Sequence, residues 1–189
     1  MEVRMQTVFI AGSIKIKRLH PLFKERIANI VREGMPIVVG DANGADASIQ
    51  AELVEQSASD VTVFCTGDKP RNNLGDWSVH RVQSSAQPGT RAYFTAKDIE
   101  MAGRAEFGLM LWDAASTGTL SNVFELLSQG KKSVVFVNRE AKFQNVKRGE
   151  DILDLVSFMS DGARRAADKK IRLGEKVSRL AGFQSRMAV

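Results

Sequence analysis

The stretch Thr7-Val8-Phe9-Ile10-Ala11-Gly12-Ser13 decides the fold. A β-prone run ends at a glycine and a serine, and a helical pattern follows in which Leu22, Phe23, Ile27, Ile30 and Val31 recur at helical spacings. Strand, glycine turn and amphipathic helix, in that order, make the first half of a βαβ unit. Gly34 and Pro36 stop the helix, Ile37-Val38-Val39 supplies a second strand, and Gly40 closes it. The alternation continues outward. Asp46 to Gln56 reads as a second helix, Val61 to Cys65 as a third strand, Tyr93 to Ala105 as a third helix, and Phe107 to Trp112 as a fourth strand. Leu120 to Gln129 then reads as a fourth helix and Ser133 to Val137 as a fifth strand. This is the pattern of an α/β domain with a mainly parallel sheet.

Two segments stand outside it. From Thr66 to about Ala92, glycine, proline, aspartate and asparagine punctuate what reads as one loop, far longer than an ordinary connection. At the other end, residues 160–189 read as a basic helical extension to a domain formed by residues 1–159, within which Ile152, Leu155, Val156 and Met159 share a helical face. The extension holds eight basic residues, Arg186 the last of them, against three acidic ones, so it carries the whole net charge of +5. Arg165, Lys169, Arg172, Lys176 and Arg179 recur as one stripe along a helix, beside an apolar stripe of Leu173, Val177 and Leu180. The basic stripe reads as a docking surface for nucleic acid or an acidic partner, or as a solvated face. The apolar stripe suits pairing of two copies, and a homo-oligomer is expected.

Composition narrows the function. With 43% hydrophobic residues, the chain of 189 residues can bury a substantial core. Its single cysteine, Cys65, excludes an internal disulfide framework and reads as a small buried hydrophobe. The histidines, His20 and His80, are too few for a zinc site with that cysteine, and His80 has no legible acid partner. Nothing calls for a metal or a separate cofactor. No apolar run is long enough to cross a bilayer and none marks a leader segment, so a cytoplasmic protein without a membrane partner is expected.

Ligands of open parallel sheets sit at the carboxyl ends of the strands, where helix N-termini converge. Three such turns are rich in small and polar residues: Gly12-Ser13, Gly40-Asp41-Ala42-Asn43-Gly44-Ala45-Asp46, and Asp113 through Ser116-Thr117-Gly118-Thr119. Gly118 and Thr119 opening a helix look like a phosphate cradle, with hydroxyl donors from Ser116, Thr117 and Thr119. The same residues also suit a plain helix cap.

Ile10-Ala11-Gly12-Ser13, then Gly40 with Gly44-Ala45-Asp46, then Trp112-Asp113 with Ser116 and Gly118-Thr119, followed by Gly130-Lys131, resembles the SLOG superfamily of nucleotide-binding proteins, its YspA-like branch most of all. The resemblance spans roughly residues 7–138. The expected fold is α/β, a Rossmann-like, mostly parallel five-stranded sheet in the order 3-2-1-4-5 with flanking helices, and the C-terminal helical extension lies outside the resemblance. The resemblance also implies a nucleotide or nucleotide-derived small-molecule ligand, held at Gly12, Ser13, Gly118 and Thr119.

Relatives in that superfamily that cleave N-glycosidic bonds carry a glutamate at the position occupied here by Asn122, which cannot be a carboxylate nucleophile or base. A sensor or carrier is therefore the leading expectation. The alternative is a nucleotide N-glycosidase or ribosyl-transfer enzyme with Asp113 or Glu125 as its carboxylate. Asp113 suits a ribose hydroxyl, a catalytic water or a simple turn; Asp46 suits a ribose or a cap. Asp41 replaces a glycine of the superfamily pattern and fits a ribose or base contact better than a close phosphate. In the long loop, Arg71 and Trp77 read as a cationic and aromatic flap over the ligand, or as a solvated loop with Trp77 tucked on the core. Arg91 and Lys97 could add charge for phosphate, although an exposed helix face also explains Lys97.

Overall fold

Alternation within the first strand builds both sides of the molecule. In the computed structural model, which describes residues 5–185, β1 (Val8–Gly12) is buried at the sheet centre. Val8 and Ile10 face one layer and Phe9 and Ala11 the other, as the two-residue period of a strand requires. On the Val8 side lie α1 (Pro21–Arg32) and α2 (Ala45–Glu55), contributing Phe23, Ile27, Ile49 and Leu53. On the Phe9 side lie α3 (Arg91–Arg104), α4 (Thr117–Ser128) and the C-terminal helices α5 (Asp151–Ser157), α6 (Asp161–Ile171) and α7 (Leu173–Ser185).

Among the described residues the sheet has seven strands, not five. With β2 (Ile37–Gly40), β3 (Val61–Thr66), β4 (Ser78–Val82), β5 (Phe107–Trp112), β6 (Lys132–Val137) and β7 (Lys142–Val146), the order is β4-β3-β2-β1-β5-β6-β7. All pairings are parallel except β6 with β7. The five central strands keep the expected order. The two additions are the edges: β4 arises within the segment read as a loop, and β7 follows β6 after a tight turn. Each edge strand has one buried residue, Val82 in β4 and Val146 in β7, so neither shows the apolar run that marks a central parallel strand.

Winding reverses at β1, whose neighbours are β2 and β5. The register Gly12↔Leu111 brings the Gly12-Ser13 turn beside the turn after β5, so their crevice is the place a ligand is expected.

The C-terminal stripe is not single. Arg172 adopts a left-handed conformation (φ 53°, ψ 56°) that separates α6 from α7, so Arg165 and Lys169 lie on a different helix from Lys176 and Arg179. Asp168 fastens this corner: its carbonyl accepts the Arg172 N–H at 2.9 Å and its carboxylate that of Gly174 at 2.9 Å. The apolar stripe is also committed, because Leu173 is buried in the core while Val177 and Leu180 pack against it, together with buried Ala167 and Ile171. These residues are therefore not a free face for pairing two copies. Arg186 lies outside the described residues. No helix among the described residues is long and apolar enough to cross a membrane.

Candidate functional site

The turns after β1 and β5 are tied together by small polar side chains. The hydroxyl of buried Ser13 donates to Asp113 Oδ1 at 3.2 Å, accepts the Asp113 N–H at 3.1 Å, and lies 3.2 Å from Thr119 Oγ1. Asp113 Oδ1 also accepts the N–H groups of Ala115 and Ser116, at 3.0 and 2.6 Å, an Asx turn that holds Ala114 at φ 60°. Ser116 is the N-cap of α4: its Oγ accepts from Thr119 N–H at 3.5 Å, and its carbonyl accepts the Trp112 indole N–H at 3.0 Å. Thr117 and Gly118 occupy the first two positions of the helix, where N–H groups have no intrahelical acceptor.

Gly118 stands apart from the other glycines of these turns. Its φ is negative, and a Cβ there would meet only Ser116 Oγ, at 3.9 Å. A Cβ on Gly12 would collide with Ala45 and Leu111, at 2.8 and 2.9 Å. Gly44, at φ 78°, lies against the Ile14 backbone. Gly40 leaves room for the Asp46 carboxylate and the Lys97 ammonium, which a Cβ would strike. Three of the four are required by packing or conformation, and Gly118 is required by neither.

The turn after β2 holds a buried charge cluster. Lys97 is only 4% exposed, and its Nζ lies 3.0 Å from Asp98 Oδ1 and 3.9 Å from both Asp41 Oδ1 and Asp46 Oδ2. Lys97 is thus buried and not on an exposed helix face. It shares the inward face of α3 with Met101 and Ala102, and a lysine on the apolar stripe of that helix is the sequence signal that marks it. Burial opposes its charge, but Asp98, Asp46 and Asp41 together outweigh that and hold it above the ordinary lysine range. Burial raises the Asp46 carboxyl to about 6 against the pull of Lys97. Burial also pushes Asp41 upward, but the hydrogen bonds from Arg71 and the charge of Lys97 prevail and hold it low.

Arg71 grips Asp41 with both ends of its guanidinium, Nη2 to Oδ1 at 2.8 Å and Nε to Oδ2 at 3.0 Å, while its backbone N–H donates to Oδ2 at 2.9 Å. Its guanidinium carbon stands 5.0 Å from the centre of the Phe94 ring. The surrounding loop is docked: Asn72 Nδ2 donates to the Asp41 carbonyl at 2.8 Å, and the buried Gln50 side chain donates to the Gly40 carbonyl at 2.8 Å and accepts from Leu74 N–H at 3.0 Å. Trp77 turns away, donating its indole N–H to the Ala58 carbonyl at 2.9 Å and packing on the α1–α2 side of the sheet. His80 does have an acid partner, Glu100 on α3. Cys65 is buried, and burial pushes its thiol upward.

Between these turns lies a cavity of about 470 Å³. Of the residues singled out in the sequence, Gly12, Asp46, Arg71, Ser116, Gly118, Thr119 and Asn122 line it. Ser13, Gly40, Asp41, Gly44, Asp113 and Thr117 do not line it; all but Thr117 brace it through the contacts above. Glu125 lies in a neighbouring groove, one turn beyond Asn122 on α4, and Trp77 lies in neither. Phe94, Lys97 and Asp98 complete the α3 wall together with Arg91. The cavity therefore joins the Gly118 N–H at a helix start, two guanidinium groups, a buried carboxylate and an aromatic ring.

No protein-family model matches the chain, and none of the curated proteins matches it. Among solved structures it is similar to DNA processing protein A from Helicobacter pylori, a protein described by its single-stranded DNA binding mode, with a TM-score of 0.53 at 15% sequence identity over 88% of this chain and 80% of that one. At that identity the likeness shows the fold, a Rossmann-like α/β sheet.

Proposed function

We propose that the chain is a SLOG-type protein that binds a nucleotide-derived ligand in the cavity at the carboxyl ends of β1 and β5, as a sensor or carrier. The phosphate lies at the Gly118 N–H, beside the hydroxyls of Ser116 and Thr119 at the start of α4, where the helix dipole favours an anion, with Arg91 and Arg71 adding charge. Asp46 accepts a ribose hydroxyl, and Phe94 offers a face to the base.

The observation that carries this reading is Gly118. Glycine in a helix costs about 0.5–1 kcal/mol relative to alanine, and neither the backbone angle nor the packing at this site asks for it. A ligand that approaches the backbone does. Gly118→Ala is expected to raise stability by about 0.5 kcal/mol, whereas Gly118→Leu, whose side chain projects where the phosphate lies, weakens nucleotide binding at least tenfold while the protein stays folded. Calorimetric titration with a panel of nucleotides tests this; a Gly118→Leu protein that binds as the wild type does would falsify the assignment.

Binding is preferred to N-glycosidic cleavage because Asp113 and Glu125, the two carboxylates expected to serve cleavage, are otherwise placed. Asp113 Oδ1 is occupied by the Ser13 hydroxyl and two backbone N–H groups, Glu125 faces the neighbouring groove, and Asn122 stands where the nucleophile is needed. A second reading, nucleic acid docked on the C-terminal helices, is supported by the excess positive charge there and by the single-stranded DNA binding of DNA processing protein A. Its signature is affinity that falls steeply with salt.

A further inference from the structure

Beside the cavity runs a groove of about 340 Å³ between α3, α4 and the two C-terminal helices α6 and α7. The two share a wall: Arg91, Thr95, Asp98 and Asn122 line both. Beyond that wall the groove is lined by Lys170 from α6 and by Lys176 and Arg179 from α7. With Arg91 these make four cations, contributed by three helices and facing one space.

No ion pair among the described residues engages any of the four. Two carboxylates line the same groove. Asp98 is already bound to Lys97, and Glu125 holds the Gln129 amide at 2.9 Å while attracting Lys176 from a distance. Burial, together with the charges of Arg91 and Arg179, holds the Lys176 ammonium below its ordinary range, against the pull of Glu125. Like charges this crowded oppose one another, and an anion placed among them relieves the repulsion.

We infer that cavity and groove are two parts of one site, whose ligand is a nucleotide bearing a second phosphate beyond its sugar, as in a 5′-phosphorylated dinucleotide or the 5′ end of a single strand. The inference rests on the nucleotide reading of the cavity. The first phosphate sits at the α4 N-terminus, the chain of the ligand crosses the shared wall at Asn122, and the second phosphate enters the groove. In this arrangement α6 and α7 supply the half of the site that recognises ligand length, and Asn122 is a contact at the crossing instead of a vacant catalytic position.

The test is a calorimetric comparison at one ionic strength of nucleoside 5′-monophosphates, the matching 5′-phosphorylated dinucleotides and a 5′-phosphorylated hexanucleotide. Each is titrated into the full chain and into the Lys176→Ala/Arg179→Ala variant, whose substitutions lie at the groove and outside the cavity lining. A dinucleotide is expected to bind at least tenfold more tightly than its monophosphate. The variant is expected to erase that gain, keep the monophosphate affinity within twofold and melt at an unchanged temperature. A further gain with the hexanucleotide identifies a strand end as the ligand, and no further gain identifies a dinucleotide. A monophosphate that binds with no gain for the dinucleotide, or a gain that survives in the variant, overturns the two-part site and leaves the cavity reading standing. Absence of binding by every nucleotide overturns both.

Discussion

Lys97 is the residue on which the site depends most. Its ammonium is the shared counter-charge of Asp41, Asp46 and Asp98, and two of those carboxylates are almost fully buried. Removing one partner of a buried charge group leaves the others uncompensated, which costs about 3–5 kcal/mol. Lys97→Met, which keeps an unbranched apolar stem and removes the ammonium, is expected to lose that much at pH 8 by urea denaturation. The sign of its pH dependence follows from the same carboxylates. The Asp46 carboxyl is raised to about 6, so its stabilising protonated form is present at low pH and is lost as pH rises through that value. Asp41 is held low by Arg71 and Lys97 and acts in the opposite sense, losing its contribution as pH falls. Without Lys97 the Asp41 and Asp46 carboxyls resist ionisation more strongly, so the deficit of the variant shrinks between pH 8 and pH 5. A deficit that stays constant over that range would show that the cost is one of packing and not of charge.

Among the elements, the corner between α6 and α7 turns on Arg172, a non-glycine residue in the left-handed region. That conformation costs roughly 1 kcal/mol for a residue with a Cβ, and glycine is the usual occupant of such a helix end. Arg172→Gly is therefore expected to raise the melting temperature by about 2–4 °C, the shift that about 1 kcal/mol gives in a chain of this size. Scanning calorimetry would read it directly. The same corner explains why part of the structure was not legible in the sequence. A stripe at helical spacing carries no mark of a break when the residue at the break is an arginine, so two helices read as one. The edge strands β4 and β7 escaped for a related reason: with one buried residue each, they lack the apolar run that made β1, β2, β3, β5 and β6 plain. The turns at the site were legible because glycine and hydroxyl residues mark them, but which glycine packing requires and which it does not could not be told apart. Gly12, Gly40 and Gly44 are explained by what a Cβ would strike, and that is a property of neighbours distant in sequence. Lys97 reads in the sequence as charge for phosphate or as part of an exposed face, and its buried ion pairs were not legible because their partners come from the turn after β2, the start of α2 and its own helix.

At the scale of the whole molecule, residues 160–185 belong to the layer that covers one face of the sheet. Ala167, Ile171 and Leu173 are buried in the same core as Leu120, Phe124 and Ile152. Ile171 and Leu173 alone are expected to contribute about 1.5–3 kcal/mol each by burial. A chain cut at residue 160 is thus expected to lose at least about 3 kcal/mol, or about 6–12 °C in melting temperature. A cut chain that melts within 2 °C of the full one would mean that the covering is superficial. The pairing of β1 with β5 has a consequence for how the protein is made. Ser13 meets Asp113 and Thr119 across separations of 100 and 106 residues, so neither the cavity nor the centre of the sheet exists until the second partner has been synthesised. At ribosomal speeds of about 5–20 residues per second, the nascent β1 waits roughly 5–20 s for its neighbour. During that interval a strand destined for the centre of the sheet has only β2 beside it, so one edge of β1 stays unpaired while the amino-terminal half emerges.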